Sequence, residues 1–270
     1  MRLTKHHGLG NDFLVYFEPE DLTPELARRL CDRHRGIGAD GLIAVRPGSG
    51  GADVRMELRN SDGTAAAMSG NGIRCMAQAI LGHRDLTDAN LVIDTAAGLR
   101  RVSIGPSGRA GEAWARVDMG EVGPGPTPVA SPTPSLQEVT GPNPRMITAG
   151  IGNPHLVVEV ENPWVLDLAR IGPELEASYA DGINVEFIRA TPGRPNEIDL
   201  TVWERGAGIT QACGTGASAA SAVAVGWGLA ESPVTVHLPG GDVIVELGDT
   251  VWLSGPTVLI ASLEVEDIVA

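Results

Sequence analysis

The chain has 270 residues, 43% of them apolar, with 20 basic and 34 acidic side chains for a formal net charge of −14. A field of that sign repels phosphates and argues against a nucleic-acid partner. No stretch approaches the roughly 18 apolar residues of a membrane span, and Met1-Arg2-Leu3-Thr4-Lys5-His6-His7 is not the start of a secretory signal, so a cytoplasmic protein with no membrane partner is expected.

In chain order, Thr23 is placed to cap a helix with Pro24 in its first turn, burying Leu26, Leu30 and Cys31. An apolar helix over 73–81 follows a Gly-rich stretch. Apolar alternation predicts short strands at 91–94, 102–104 and 114–118. From Gly120 through Pro144 the chain is rich in Pro and Gly and reads as a connector between two halves. Beyond it, strands are predicted at 156–160, 185–188, 198–203, 234–238, 243–247 and 250–253. Asn162-Pro163 repeats the capping device ahead of Val165, Leu168 and Ala169. A second apolar helix covers 217–227, and the tail beyond Gly255 reads as one more strand, able to return to the first half. With little charge on any face, both apolar helices are expected to be buried all round, with sheet wrapped about them.

Three cysteines, Cys31, Cys75 and Cys213, are widely spaced and support neither a disulfide framework nor a zinc site. Lys5 is the one lysine, and its N-terminal position makes it a poor Schiff-base residue, which argues against pyridoxal phosphate.

The two apolar helices open on near copies of one motif, Ser69-Gly70-Asn71-Gly72-Ile73-Arg74 and Cys213-Gly214-Thr215-Gly216-Ala217-Ser218. Each sets a small proton-carrying side chain before glycines whose N–H groups can converge on an anion at a helix N-terminus. Gly10-Asn11 pairs with Gly152-Asn153, Thr23-Pro24 with Asn162-Pro163, Asn60 with Glu204 and Ser69 with Cys213, at offsets of 142, 139, 144 and 144. One fold unit therefore occurs twice, in lobes of about 130 residues each. Two such lobes facing each other would set two side chains on opposite sides of one bound anion, a geometry suited to chemistry at a stereocentre.

Gly10-Asn11-Asp12-Phe13, Gly38-Ala39-Asp40-Gly41-Leu42, Asn60-Ser61-Asp62-Gly63-Thr64, Gly70-Asn71-Gly72-Ile73-Arg74, Gly152-Asn153-Pro154-His155, Glu204-Arg205-Gly206 and Ala212-Cys213-Gly214-Thr215-Gly216 stand in the order and spacing of one family. Together they resemble diaminopimelate epimerase. That resemblance implies cofactor-independent interconversion of LL- and meso-diaminopimelate, in lysine and peptidoglycan-precursor synthesis. It implies an α+β fold of two pseudo-symmetric lobes, each a mostly antiparallel curled sheet around a central apolar helix, with the active site in the cleft between them and a homodimer as the assembly. The lobes are expected at 1–118, joined by the C-terminal strand 259–270, and at 119–258.

By the same resemblance, Cys213 and Ser69 are the catalytic pair, with Glu204 accepting from the reacting ammonium and His155 tuning the pair. Gly70, Asn71, Gly214 and Thr215 hold the reacting carboxylate; Asn11, Asn60, Asn153, Asn184 and Arg205 grip the distal end. At a helix N-terminus the Cys213 thiol is expected to have a lowered pKa and to work as a thiolate base.

Three positions depart from the family pattern. Ser69 stands where the epimerases carry their other catalytic cysteine, either as a native variant or as an introduced substitution. A serine hydroxyl lies roughly five units above free cysteine, which at 1.36 kcal/mol per unit is about 7 kcal/mol of proton-transfer driving force. Ile209 replaces a glutamate of many members, and Gly41 a glutamine of some. The alternatives that remain are a related racemase, epimerase or dehydratase acting on hydroxyproline or another amino acid, and a disabled protein that binds diaminopimelate without turning it over.

Overall fold

A computed structural model describes residues 1–130, 134–140 and 144–266 of the chain. It divides into two compact units, one of Met1–Asp118 with the chain from Ser254 onward, the other of Met119–Leu253. Among the described residues no helix is long and apolar enough to cross a membrane.

The first unit holds strands β1 (Arg2–Gly8), β2 (Asn11–Tyr16), β3 (Gly41–Pro47), β4 (Val54–Asn60), β5 (Ala89–Thr95), β6 (Gly98–Pro106) and β7 (Glu112–Gly120), with helices α1 (Pro24–Cys31) and α2 (Gly70–Arg84). The second contains β8 (Gly123–Pro124), α3 (Pro134–Thr140), β9 (Met146–Gly150), β10 (Pro154–Glu159), a 3-10 turn at Pro163–Val165, α4 (Leu168–Glu176), β11 (Asn184–Ala190), β12 (Glu197–Glu204), β13 (Gly208–Thr210), α5 (Gly214–Gly226), β14 (Val234–Leu238) and β15 (Gly241–Leu247). A last strand, β16 (Val251–Glu264), begins in the second unit and ends in the first.

In the first unit β1 to β7 pair in chain order, and β16 pairs with both β1 and β7, closing an eight-stranded barrel. The β2–β3 and β4–β5 pairs are parallel, and β1–β2, β3–β4, β5–β6 and β6–β7 antiparallel. The sheet is thus mixed, because each parallel pair brackets a helix or a long loop that carries the chain back. In the second unit the order is β8-β9-β10-β11-β12-β14-β15, with β13 beside β12. Its β10–β11 and β12–β14 pairs are parallel, so the alternation of the first unit recurs in the second.

Alternation along a strand explains what each sheet buries. Leu14, Tyr16, Leu42 and Ala44 turn to one face, where they form a core with Ala27, Leu30 and Cys31 of α1. Ile43 turns to the other, against α2. Val185 and Phe187 likewise meet Leu168, Ile171 and Leu175 of α4, leaving Asn184 and Glu186 on the face toward α5. Covered on both faces, β3 reads as a continuous apolar run rather than an alternating one. α2 packs against β1, β2, β3 and β6, and α5 against β9, β10, β11, β12, β14 and β15, as an apolar helix without a polar stripe must.

Thr23 caps α1 as expected, its Oγ1 accepting from Leu26 N at 3.1 Å, and the two apolar helices form over the predicted stretches. Three local readings change. Asn162 caps only the 3-10 turn, and α4 starts separately at an Asp167 cap. The 250–253 strand and the tail strand are one strand, β16. The Pro- and Gly-rich connector is in part structured: it contributes β8 and α3, whose Leu136 is fully buried in the core beside α4. The remainder of that expectation at 131–133 and 141–143, like the tail beyond residue 266, lies outside the described residues.

Candidate active-site residues

Ser69 and Cys213 occupy the same local structure. Each is extended, at φ −135°, ψ 125° and φ −124°, ψ 112°, and each caps the helix that follows. Ser69 Oγ accepts from Gly72 N at 3.0 Å, and Cys213 Sγ from Gly216 N at 3.4 Å. The first carbonyls to join the helices are those of the caps themselves, accepting from Ile73 N and Ala217 N at 2.9 Å. The amides that lead each turn therefore have no acceptor within the helix, and the positive end of the helix dipole points the same way.

In the first unit the β1–β2 hairpin turns through Leu9 and Gly10, both at positive φ (56° and 88°), the two-residue turn that matches strand twist. This turn sets Asn11 beside the α2 start, where its Oδ1 accepts from Asn71 Nδ2 at 3.2 Å while its own amide donates to Asp40 at 2.7 Å. Asp40 is in turn held by Arg33, which also grips Asp12, and Lys5 adds a bond to Asp12 at 3.0 Å. The one lysine of the chain thus has a structural position. Asn60 is exposed and ends β4, where its side-chain amide donates to Thr64 Oγ1 at 3.0 Å, across the turn that follows. Gly41 has a steric reason: a Cβ there would stand 2.9 Å from Arg59 O and 3.0 Å from the Phe13 ring.

Arg74, quoted in the motif but given no role, is fully buried one turn into α2. It donates to Gly70 O (2.9 Å), Asn71 Oδ1 (2.7 Å) and Pro256 O (3.3 Å), all uncharged, and burial brings its pKa down to about 10. A cation is thereby buried against the carbonyl side of the α2 start. Cys75, also buried, meets Thr257 Oγ1 and is pushed up to about 11 by burial, so it is a packing residue; Cys31 is pushed up to about 12 for the same reason.

In the second unit a chain of side chains leads to Cys213. Thr215 Oγ1 lies 3.5 Å from the sulfur, Asn153 Nδ2 donates to Thr215 Oγ1 at 3.3 Å, and Asn153 Oδ1 meets His155 Nε2 at 2.9 Å. His155 Nδ1 meets Glu186 Oε1 at 2.7 Å, and both of these side chains are fully buried. Glu204, at the end of β12, faces the thiol and accepts from Thr210 Oγ1. Asn184 bridges Pro154 O and Arg205 N, each at 2.9 Å, fixing Arg205, whose exposed guanidinium donates to Asp181 O at 3.0 Å. Cys213, Thr215, Asn153, His155 and Glu204 thus form one cluster, with Asn184 and Arg205 a joined pair beside it.

The expected lowering of the Cys213 pKa is reversed. Burial, then Glu204 and Glu186, push the thiol well above its ordinary value, and the bonds from Thr215 and Gly216 do not offset them. Burial of a residue that is only 6% exposed, with two carboxylates beside it, outweighs the helix terminus. Burial and Glu186 likewise raise Glu204, with Thr210 acting in the opposite direction. Cys213 at rest is a thiol.

Glu186 escapes a reading of the sequence. Its signal is a lone carboxylate in Asn184-Val185-Glu186-Phe187-Ile188, a run otherwise composed for a strand buried on both faces.

Comparisons agree with the motif order. The family model described as diaminopimelate epimerase matches residues 3–123 and 147–253. A diaminopimelate epimerase of Desulfitobacterium hafniense is 42% identical, with 95% of each chain covered, and one of Methanothermobacter thermautotrophicus is 36% identical over 90% of this chain and 89% of its own. Among solved structures, a probable proline racemase from Agrobacterium radiobacter K84 superposes with a TM-score of 0.74 at 18% identity, covering 98% of this chain and 92% of that one. A hydroxyproline epimerase from Agrobacterium vitis gives 0.70 at 17%, covering 97% and 91%. The two structures establish a shared fold, and the sequence matches go further: the chain is an isomerase that belongs to the diaminopimelate epimerase family.

Proposed function

We propose that this enzyme interconverts LL- and meso-diaminopimelate, a step of lysine biosynthesis, by removing the α-proton on one face and returning a proton on the other. The observation that carries the reading is the pair of matching helix starts, each capped by a side chain that can carry a proton. In this reading the two units are halves of a duplicated fold, and the site is the cleft between them. The reacting carboxylate takes the leading amides of Gly70, Asn71, Gly214 and Thr215, where preorganised donors stabilise the charge that develops when the α-proton leaves. Glu204 accepts from the ammonium; Asn11, Asn60, Asn153, Asn184 and Arg205 hold the distal end.

Glu204 also explains how a resting thiol becomes a base. A substrate ammonium on Glu204 compensates one of the two carboxylates that hold the Cys213 proton in place, so the thiol falls as the substrate binds. Cys213 then takes the α-proton, and Ser69 or a water held by it returns one from the opposite face. The serine makes that return the slow step. No cofactor takes part in this scheme, and a cytoplasmic homodimer goes with it.

The test follows meso-diaminopimelate formation from the LL-isomer with a dehydrogenase specific for the meso form, with hydroxyproline isomers run in parallel. Meso product from this enzyme alone, and no change in hydroxyproline, is the expected outcome. Turnover of hydroxyproline with diaminopimelate untouched would overturn the reading.

A further inference from the structure

The two helix starts share a backbone but not a lining. In the first unit Phe13 and Gly41 are register partners, and two residues on, Ile43 Cδ1 stands 3.3 Å from where a Cβ on Gly72 would lie. In the second unit His155 and Asn184 are the register partners, and two residues on is Glu186, whose Oε1 stands 2.5 Å from where a Cβ on Gly216 would lie. The offsets from Phe13 to His155 and from Ile43 to Glu186 are 142 and 143, within the 139 to 144 of the repeat. The same place in the same scaffold is therefore filled by an isoleucine once and by a carboxylate once. The fold itself does not require a glutamate there.

A carboxylate in that place is costly. Glu186 is 0% exposed, one oxygen meets His155, and the other, Oε2, is buried with no hydrogen-bond partner among the described residues. Glu186 Oε1 and Asn153 Oδ1, both acceptors, hold the two ring nitrogens of His155 between them, which fixes the ring and with it Asn153. Asn153 meets Thr215, and Thr215 meets the sulfur. The hydrogen-bond partner of Glu186 is His155, not the thiol or the leading amides of α5, so its reach to the chemistry is through this relay and through its charge.

We infer that Glu186 is a positioning residue for Cys213: through His155, Asn153 and Thr215 it fixes the Thr215 hydroxyl against the sulfur. The inference rests on the reading of Cys213 as a proton-transfer group. Among the described residues the charged groups acting on the sulfur are Glu204 from β12 and Glu186 from β11, with His155 from β10 beside both carboxylates, and of the two carboxylates Glu186 is the fully buried one. Glu204 exchanges its influence for that of a bound ammonium; Glu186 stays constant through the cycle.

The experiment measures, on the whole protein, the pH dependence of Cys213 alkylation by iodoacetamide, read by peptide mass spectrometry, together with kcat and KM on LL-diaminopimelate. Glu186→Gln keeps an acceptor for Nδ1 and removes the charge; Glu186→Leu, which copies the aliphatic lining that Ile43 gives the first unit, removes both. For Glu186→Gln the alkylation profile is expected to move to lower pH by about one unit. For Glu186→Leu, kcat is expected to fall about tenfold or more with KM within about twofold. Parent-like alkylation profiles in both variants would overturn the inference, as would an effect confined to KM. The alkylation readout needs no substrate, so a shifted profile in a protein inert toward diaminopimelate would count against the proposed reaction and leave the role of Glu186 standing. If Glu186→Leu fails to fold, the near-isosteric Glu186→Gln decides alone.

Discussion

Gly216→Ala is expected to destabilise the protein and disable it together, without adding any group that meets substrate. A Cβ at residue 216 would stand 2.5 Å from Glu186 Oε1 and 3.2 Å from its Cγ and Cδ, about 0.9 Å inside ordinary contact at 3.4 Å. A buried carboxylate moved by that distance turns a 2.7 Å bond to His155 Nδ1 into one of roughly 3.6 Å, which is no longer a hydrogen bond. Overpacking costs about 1–3 kcal/mol, and a lost bond to a charged group about 1.5–3 kcal/mol. Better helix propensity returns about 1 kcal/mol. The net is roughly 1.5–5 kcal/mol, and at some 2–4 °C per kcal/mol for a chain of this size the melting temperature falls by about 3 °C or more. The internal control is Gly82→Ala in α2, where a Cβ meets nothing within 4 Å and the same propensity gain is unopposed. Differential scanning fluorimetry and kcat on both variants decide. Gly216→Ala as stable as Gly82→Ala, or with parental kcat, would refute the steric argument.

The other expected outcomes concern charges and cysteines. His237 is bonded by Asp242 and Glu197, which outweigh its burial and raise its pKa. A raised histidine stabilises below its unfolded value near 6.5 and loses that contribution as pH rises through its folded value, so His237→Gln should lower the melting temperature more at pH 6 than at pH 9. Asp12, despite burial, is held low by Arg33 and Lys5; its contribution is full above about pH 4 and lost as pH falls through the folded value, so Asp12→Asn should cost about 2 kcal/mol in urea unfolding at pH 7 and progressively less as pH falls below 4. Alkylation of the native protein should label Cys213, which keeps 6% exposure, ahead of Cys31 and Cys75 at 2% and 0%, and Cys213→Ala should abolish α-proton exchange; full exchange in that variant would remove the thiol from the mechanism.

Capped and apolar-periodic stretches are legible in the sequence. Thr23-Pro24, Ser69-Gly70 and Cys213-Gly214 carry their helix signals within four residues, so local reading finds all three helix starts. Strands buried on both faces are harder. The runs of β2 and β3 lack alternation because α1 and α2 cover opposite faces of the sheet there, and Arg2–Gly8 hides among charged residues that pair with β16 at the far end of the chain. Leu136 joins the core beside α4 from within a Pro-rich stretch, which composition alone marks as a linker. At the candidate site, the motif residues are visible because backbone geometry demands Gly, Asn and a small cap. The charges beneath them are not: Arg74 and Glu186 act from inside the fold, and only the side-chain contacts reveal what each one meets.

Whether Ser69 serves opposite Cys213 is tested most directly by proton NMR of LL-diaminopimelate in D₂O with this enzyme and with Ser69→Cys in parallel. The account predicts meso product carrying deuterium at the inverted centre from both, faster from the variant, because cysteine restores roughly five units of acidity to the returning face. Exchange without inversion from this enzyme, or no exchange from either protein, would contradict it.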